Sequence, residues 1–126
     1  MMYFLDRYQE QGYALLRITT SFMFILHGSQ KLLGIPPAVR EMPWHIQYVA
    51  GSIQLFCGFL IMIGLLTRPA AFLSSGLMAA AYWTALFSVE KWLPILNRGD
   101  AAVMYCFIFL YIACKGPGIW SVEGRK

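Results

Sequence analysis

The chain has 126 residues, of which 59% are hydrophobic, 16% aromatic and only 13% charged. A soluble domain carries about 25% charged residues, so this composition argues against an ordinary water-soluble protein. The formal net charge is +4, and the ten lysines and arginines are scattered, which excludes the clustered basic patch of a nucleic-acid-binding protein. The length fits one domain over residues 1–126, and we predict an all-α membrane protein.

The first predicted element is a membrane-spanning helix over residues 13–33, preceded by a short amphipathic segment. Its length meets the requirement of about 20 mostly apolar residues for crossing a bilayer. Charged groups inside such a helix cost about 2.5–3.5 kcal/mol each on insertion scales, so they must face other helices. One stripe of the helix, with a spacing of three or four residues, holds Arg17, Thr20, Ser21, Phe24, His27, Gly28 and Lys31.

The start of the chain lacks the usual form of a cleavable signal peptide. Asp6 and Glu10 stand where a signal would carry positive charge before its apolar run. We therefore expect the first helix to act as the insertion signal and to remain in the protein.

Three further spanning helices are predicted, at residues 46–66, 70–87 and 101–115. Prolines interrupt the chain after the first helix, and Pro69 suits the first turn of the third. On the second helix, Gly51, Gln54 and Gly58 share one face, where small residues allow close approach of a neighbour. The fourth helix is marginal in length. The predicted fold is a four-transmembrane-helix bundle.

Four spans place both termini on one side of the membrane. The positive-inside rule favours cytoplasmic termini. It compares Arg7, Arg17, Arg68, Lys115, Arg125 and Lys126 on the terminal side with Lys31, Arg40, Lys91 and Arg98 on the other. This topology gathers polar residues at the outer end of the bundle, namely His27, Gln30, Lys31, His45, Asn97 and Asp100, with Gln54 deeper.

Four segments, in chain order, carry a resemblance to a known family. They are HGSQKLLG (27–34), LLTRPAA (65–71), PILNRGDAAVMY (94–105) and GPGIWSVE (116–123). Over about residues 14–123 the chain resembles the DoxX family of small four-helix membrane proteins. The resemblance implies a multi-pass helical bundle in a bacterial inner membrane. Some relatives form part of a thiosulfate:quinone oxidoreductase, and others are linked to membrane-associated thiol and oxidant-defence complexes.

Two positions depart from the pattern of the family. Its members often have an acidic residue on the second helix where this chain has Gln54. Many also have a histidine near the end of the third helix, about where Leu86 stands. A redox or proton-transfer role that needs both groups would be missing here, although the usual acidic residue before the fourth helix is present as Asp100.

The candidate ligand-binding residues of the first helix are Arg17, His27 and Lys31. Arg17 either extends to the inner headgroups or anchors an anionic group or a quinone carbonyl inside the bundle. His27 either donates to a quinone carbonyl or shuttles a proton, or it forms a structural cross-link with Asp100 or Asn97. Gln54, Asn97 and Asp100 complete the candidate set.

Asn97 and Asp100 precede the fourth helix, where they either cap it or contact a ligand. We expect Asp100 to contact His27 or Lys31, directly or through one water, because a carboxylate lowers the cost of holding these groups near hydrocarbon. No metal site is predicted, since His27, His45 and Asp100 do not supply three ligands at one level.

The cysteines are Cys57, Cys106 and Cys114, all inside apolar runs and none in a CxxC pair. This pattern argues against a disulfide framework or a thiol redox pair, and packing is the simplest interpretation.

The functional hypothesis is an accessory membrane subunit of a redox or respiratory-type complex, whose outer polar mouth binds a quinone or a partner protein. The first alternative is a free-standing quinone-linked oxidoreductase acting on thiosulfate or thiols. The missing dithiol and the absent haem-attachment motif weigh against it. The second alternative is a purely structural subunit. The expected partners are the lipid bilayer and other membrane subunits or further copies of the chain. No catalytic residue is assigned.

Overall fold

A computed structural model describes residues 3–33, 45–83 and 100–124 of the chain. All regular elements in these ranges are helical. In chain order they are a 3-10 segment (Tyr3–Tyr8), α1 (Gln9–Leu33), a π-helical segment (His45–Ala50), α2 (Gly51–Ile63), α3 (Thr67–Ala81) and α4 (Asp100–Lys115). The all-helical prediction is confirmed for these residues. None of their helices combines the length and the apolarity needed to cross a membrane.

The described helices differ from the predicted ones at two places: α1 starts at Gln9, four residues before the predicted start at Tyr13, and the turn between α2 and α3 is shifted. The turn was predicted at residues 67–69, but in the structure the turn lies at residues 64–66. Gly64 ends α2 in the left-handed conformation, with φ of 77°, and its amide donates to the carbonyl of Leu60 at 2.9 Å. Leu66 is also left-handed, with φ of 51°, so α3 starts at Thr67. The predicted end of this helix, at Phe87, lies outside the described residues.

Helices α1 and α2 pack closely because glycines lie where they touch. A Cβ atom on Gly28 would come within 2.5 Å of a backbone nitrogen of α2, and one on Gly58 within 2.7 Å of Ile25 Cγ1. A Cβ atom on Gly51 would lie 2.9 Å from the Cβ of Lys31. The prediction that Gly51 and Gly58 face another helix is therefore confirmed, and small residues allow this approach.

Helices α1 and α4 meet through aromatic rings. The Phe24 ring on α1 lies 4.7 Å from that of Phe109 and 5.4 Å from that of Tyr105, measured between centroids. Tyr105 and Phe109 stack on each other along α4. Phe24 and Phe109 are fully buried. These tilted and stacked arrangements are the favoured ones for aromatic pairs, and they form the centre of the core.

The C-terminal segment, which we define as residues 116–124, folds back onto the turn between α2 and α3. The amide of Val122 donates to the carbonyl of Ile63 at 2.9 Å, and the amide of Glu123 donates to that of Gly64 at 3.0 Å. The C-terminal segment and the turn between α2 and α3 therefore meet at one end of the bundle.

Candidate functional site: two polar clusters on helix α1

The first cluster surrounds Arg17, whose side chain is fully buried. Its two terminal nitrogens donate to main-chain carbonyls of the C-terminal segment: one to Pro117 and, at 2.9 Å, to Ile119, the other to Trp120 at 2.6 Å. A longer contact of 3.4 Å reaches the carbonyl of Met62 on α2. Hydrogen bonds from a charged donor are stronger than neutral ones, so the guanidinium holds the segment in place.

This position of Arg17 is an arrangement that the sequence analysis did not consider. Main-chain oxygens occupy both terminal nitrogens of the guanidinium, and a ligand-binding role of Arg17 stays a prediction. Within the described residues, Arg17 Nε has no hydrogen-bond partner. The sequence signal was present, since a buried arginine needs acceptors, but it did not indicate which part of the chain supplies them.

Further contacts secure the same end of the bundle. The Tyr13 hydroxyl donates to the carbonyl of Gly116 at 2.6 Å, and the Lys115 ammonium lies 5.2 Å above the Tyr13 ring. The guanidinium of Arg68, on α3, donates to carbonyls of the last turn of α4, including that of Cys114 at 2.8 Å. A cation at a helix C-terminus satisfies carbonyls that have no partner within the helix.

A carboxylate completes this end. Glu123 Oε1 accepts a hydrogen bond of 2.9 Å from the backbone amide of Thr67, the first residue of α3. An acidic group at a helix N-terminus stabilises the helix dipole. The sequence of residues 116–123 predicts a helix stop and carries a motif of the family, but it does not indicate that Glu123 caps α3.

The second cluster lies about 20 Å further along α1, at 1.5 Å per residue. We call it the Lys31 cluster and define it as His27, Lys31, Gln54 and Tyr105. The Lys31 ammonium donates to Gln54 Oε1 at 2.8 Å, and the Gln54 side chain is only 3% exposed. One turn before Lys31, the exposed ring of His27 meets the Tyr105 ring edge-on at 5.8 Å. The structure thus brings together His27, Lys31 and Gln54 of the candidate set.

Two further candidates, Asp100 and Asn97, were expected near the Lys31 cluster. Asp100 is the exposed first residue of α4, and no direct ion pair joins it to Lys31 or His27 in the part of the chain that the structure describes. A contact through water stays a prediction. Asn97 and Leu86 lie outside the described residues. Within the described ranges, no group of three or more His, Cys, Asp or Glu side chains is arranged to hold a metal ion.

The three cysteines occupy different environments, and all are free. Cys57 is buried, as the packing interpretation requires, whereas Cys114 is exposed. Cys106 is half-buried, and its carbonyl accepts a hydrogen bond of 2.7 Å from the Ser75 hydroxyl.

The fold and the distribution of side chains define a class of protein. Polar groups such as Arg17 and Gln54 are turned into the bundle, while large apolar side chains are exposed on the outside: Phe22, Phe56, Phe72 and Phe107. Polar groups inside and apolar side chains outside are typical of helical membrane proteins, because soluble monomers rarely expose extended apolar patches.

The family model for DoxX matches residues 12–86, more than half of the chain, and the chain therefore belongs to the DoxX family. Membership of this family supports a membrane location.

Two relatives align with nearly the whole chain. An uncharacterized protein of Haemophilus influenzae is 34% identical over 127 residues, covering 96% of this chain and 95% of its own. A Bacillus subtilis protein named "Putative oxidoreductase CatD" is 26% identical over 119 residues, covering 90% of this chain and 86% of its own. No solved structure matches the chain at a significant level.

Proposed function

We propose that this protein is an accessory subunit of a redox complex in a bacterial inner membrane, and that its Lys31 cluster binds a quinone or a partner protein. In this proposal the helices cross the membrane four times with both termini in the cytoplasm, as the distribution of lysines and arginines favours. The Lys31 cluster then lies at the outer mouth of the bundle, where Asn97 and Asp100 are expected to complete it.

The hydrogen bond between Lys31 and Gln54 is the observation that carries the proposal. A lysine ammonium has three donors, and Gln54 accepts one of them. The other donors suit an acceptor such as a quinone carbonyl or a main-chain oxygen of a partner. His27 supplies a second donor one turn away, and the neighbouring Tyr105 ring offers a surface on which a flat ring can pack.

The redox part of the proposal is supported by family membership and by the printed name of the relative from B. subtilis. The word oxidoreductase in that name is compatible with the first alternative, in which the chain is itself a free-standing enzyme. The contacts of Arg17 with main-chain carbonyls are compatible with the second alternative, a structural subunit, because they give this buried arginine a role in holding the fold together.

Gentle solubilisation followed by mass spectrometry tests these roles. The proposal expects a quinone or a stoichiometric partner protein to co-purify with the parent chain. Lys31→Met should lose this component, whereas Lys115→Met, which removes a lysine at the other end of the bundle, should retain it. Catalytic turnover of a thiol or thiosulfate donor by the isolated chain with a quinone would instead support the free-standing enzyme. Absence of any quinone and any partner from the parent preparation would contradict the proposal.

A further inference from the structure

The positive charge of Lys31 has a neutral partner. Its ammonium donates to an amide oxygen, Gln54 Oε1, at 2.8 Å. An amide accepts a hydrogen bond but does not compensate a charge. Lys31 is half-buried, and burying an ammonium is costly unless an opposite charge is close.

The carboxylates of the described residues do not provide that opposite charge. Glu10 lies about 31 Å from Lys31 along α1, at 1.5 Å per residue, and Asp6 precedes it. Glu123 is engaged with the first amide of α3, at the other end of the bundle. Asp100 belongs to the same end as Lys31, but no direct ion pair joins them in the described ranges.

Lys31 is also held in place by its stem. The Cβ atom of Lys31 lies where a Cβ on Gly51 would come within 2.9 Å, so the start of its side chain packs against the α2 backbone. The neighbouring glycine contact at Gly28 fixes the separation of the two helices. This packing fixes the start of the Lys31 side chain, and the hydrogen bond to Gln54 Oε1 places its ammonium. His27 presents a second donor on the same face of α1, four residues earlier.

We propose that the Lys31 cluster binds an oxyanion, which supplies a counter-charge that the described residues do not give Lys31, while Gln54 orients the ammonium. The inference rests on the proposed role of this cluster as a binding site and names the chemistry of its ligand. The oxyanion comes either from a small free ion or from the phosphate of an anionic lipid headgroup. Both sources present charged oxygens to the Lys31 ammonium and the His27 ring.

The decisive variant is Gln54→Glu, because it places a carboxylate at the position of the present hydrogen-bond acceptor. The purified chain in a non-ionic detergent is heated in inorganic phosphate and in chloride at equal ionic strength. A second series compares micelles containing phosphatidylglycerol with micelles containing zwitterionic phosphatidylcholine. We expect one of the two anion sources to raise the melting temperature of the parent chain and of Lys115→Met. Gln54→Glu should lose this response, since Lys31 then has an internal counter-charge.

A response to phosphate identifies a small free ion, and a response to phosphatidylglycerol alone identifies a lipid headgroup. Either outcome supports the inference. An equal response of the parent and Gln54→Glu would overturn the inference. If the parent responds to neither source, the inference also fails, because Lys31 is then neutralised within the chain. These readouts involve neither quinone nor partner protein. Failure of the proposed function is seen separately, in the mass spectra of the solubilised complex.

Discussion

Replacing Arg17 with methionine is expected to be among the most destabilising changes at the end of the bundle that holds the C-terminal segment. Methionine keeps an unbranched side chain that fills the same space, but it donates no hydrogen bond. The carbonyls of Pro117, Ile119 and Trp120 would then lose the donor they share. We therefore expect the C-terminal segment to separate from α1 while the helices themselves remain.

The magnitude follows from the contacts. Three short hydrogen bonds from a charged donor contribute about 1.5–3 kcal/mol each, which gives an upper range of about 4.5–9 kcal/mol. The contact to Met62, at 3.4 Å, is too long to add much. Removing the buried cation also removes its desolvation cost, and the half-exposed segment can bind water instead. We therefore expect a net loss of about 3–5 kcal/mol, a large share of a typical stability of about 5–15 kcal/mol.

Arg68→Met is the matched control, because Arg68 also donates to main-chain carbonyls but is exposed. A cation at a helix C-terminus contributes about 0.3–1 kcal/mol, so its loss should be much smaller. Denaturant unfolding in micelles measures both variants, and limited proteolysis reports release of residues 116–124. The reasoning fails if the two variants lose the same free energy of unfolding, or if the segment in Arg17→Met resists protease as well as in the parent.

Three further predictions concern packing, capping and topology. Gly58→Leu should lower the melting temperature strongly, because even a Cβ atom at this position would collide with α1. Gly76→Leu should change the melting temperature little, since nothing lies within 4 Å of its Cβ position. Equal shifts of the two variants would refute the packing of Gly58 against α1. Tyr13→Phe should lower the free energy of unfolding by about 1 kcal/mol in denaturant unfolding, because one hydrogen bond to the C-terminal segment is lost. An unchanged midpoint would show that this hydrogen bond does not stabilise the protein. Single cysteines introduced at Ser121 and Ala38 should be labelled from the cytoplasmic and the outer side respectively, and the reverse pattern would invert the topology.

The helices and their closest contacts could be predicted because they depend on local spacing. Apolar runs, proline breaks and the shared face of Gly51 and Gly58 are all visible in the sequence, and the structure confirms that both glycines meet α1. The turn between α2 and α3 was placed three residues late, because the prediction relied on Pro69. Proline is tolerated throughout the first helical turn, while the left-handed conformation of Gly64 actually ends α2.

The partners of the polar side chains could not be predicted. The sequence showed that Arg17 and Lys31 need partners, but helix spacing does not tell which distant group reaches them. Arg17 found main-chain carbonyls about one hundred residues away, which have no signature in residue type. The partner of Lys31 is Gln54, which the sequence analysis placed on a packed face of α2. Of the two contacts expected for Asp100, the direct one is absent from the described residues, and the contact through one water stays a prediction.

The bond between Arg17 and the C-terminal segment imposes an order on biosynthesis. The closest acceptors of Arg17, in the C-terminal segment, follow it by 100 to 103 residues. At a translation rate of about 5–20 residues per second, they are made roughly 5–20 s after the arginine. During that interval α1 carries a cation whose final acceptors do not yet exist. A chain that stops before residue 117 therefore lacks the three carbonyls that hold the Arg17 guanidinium in the finished structure.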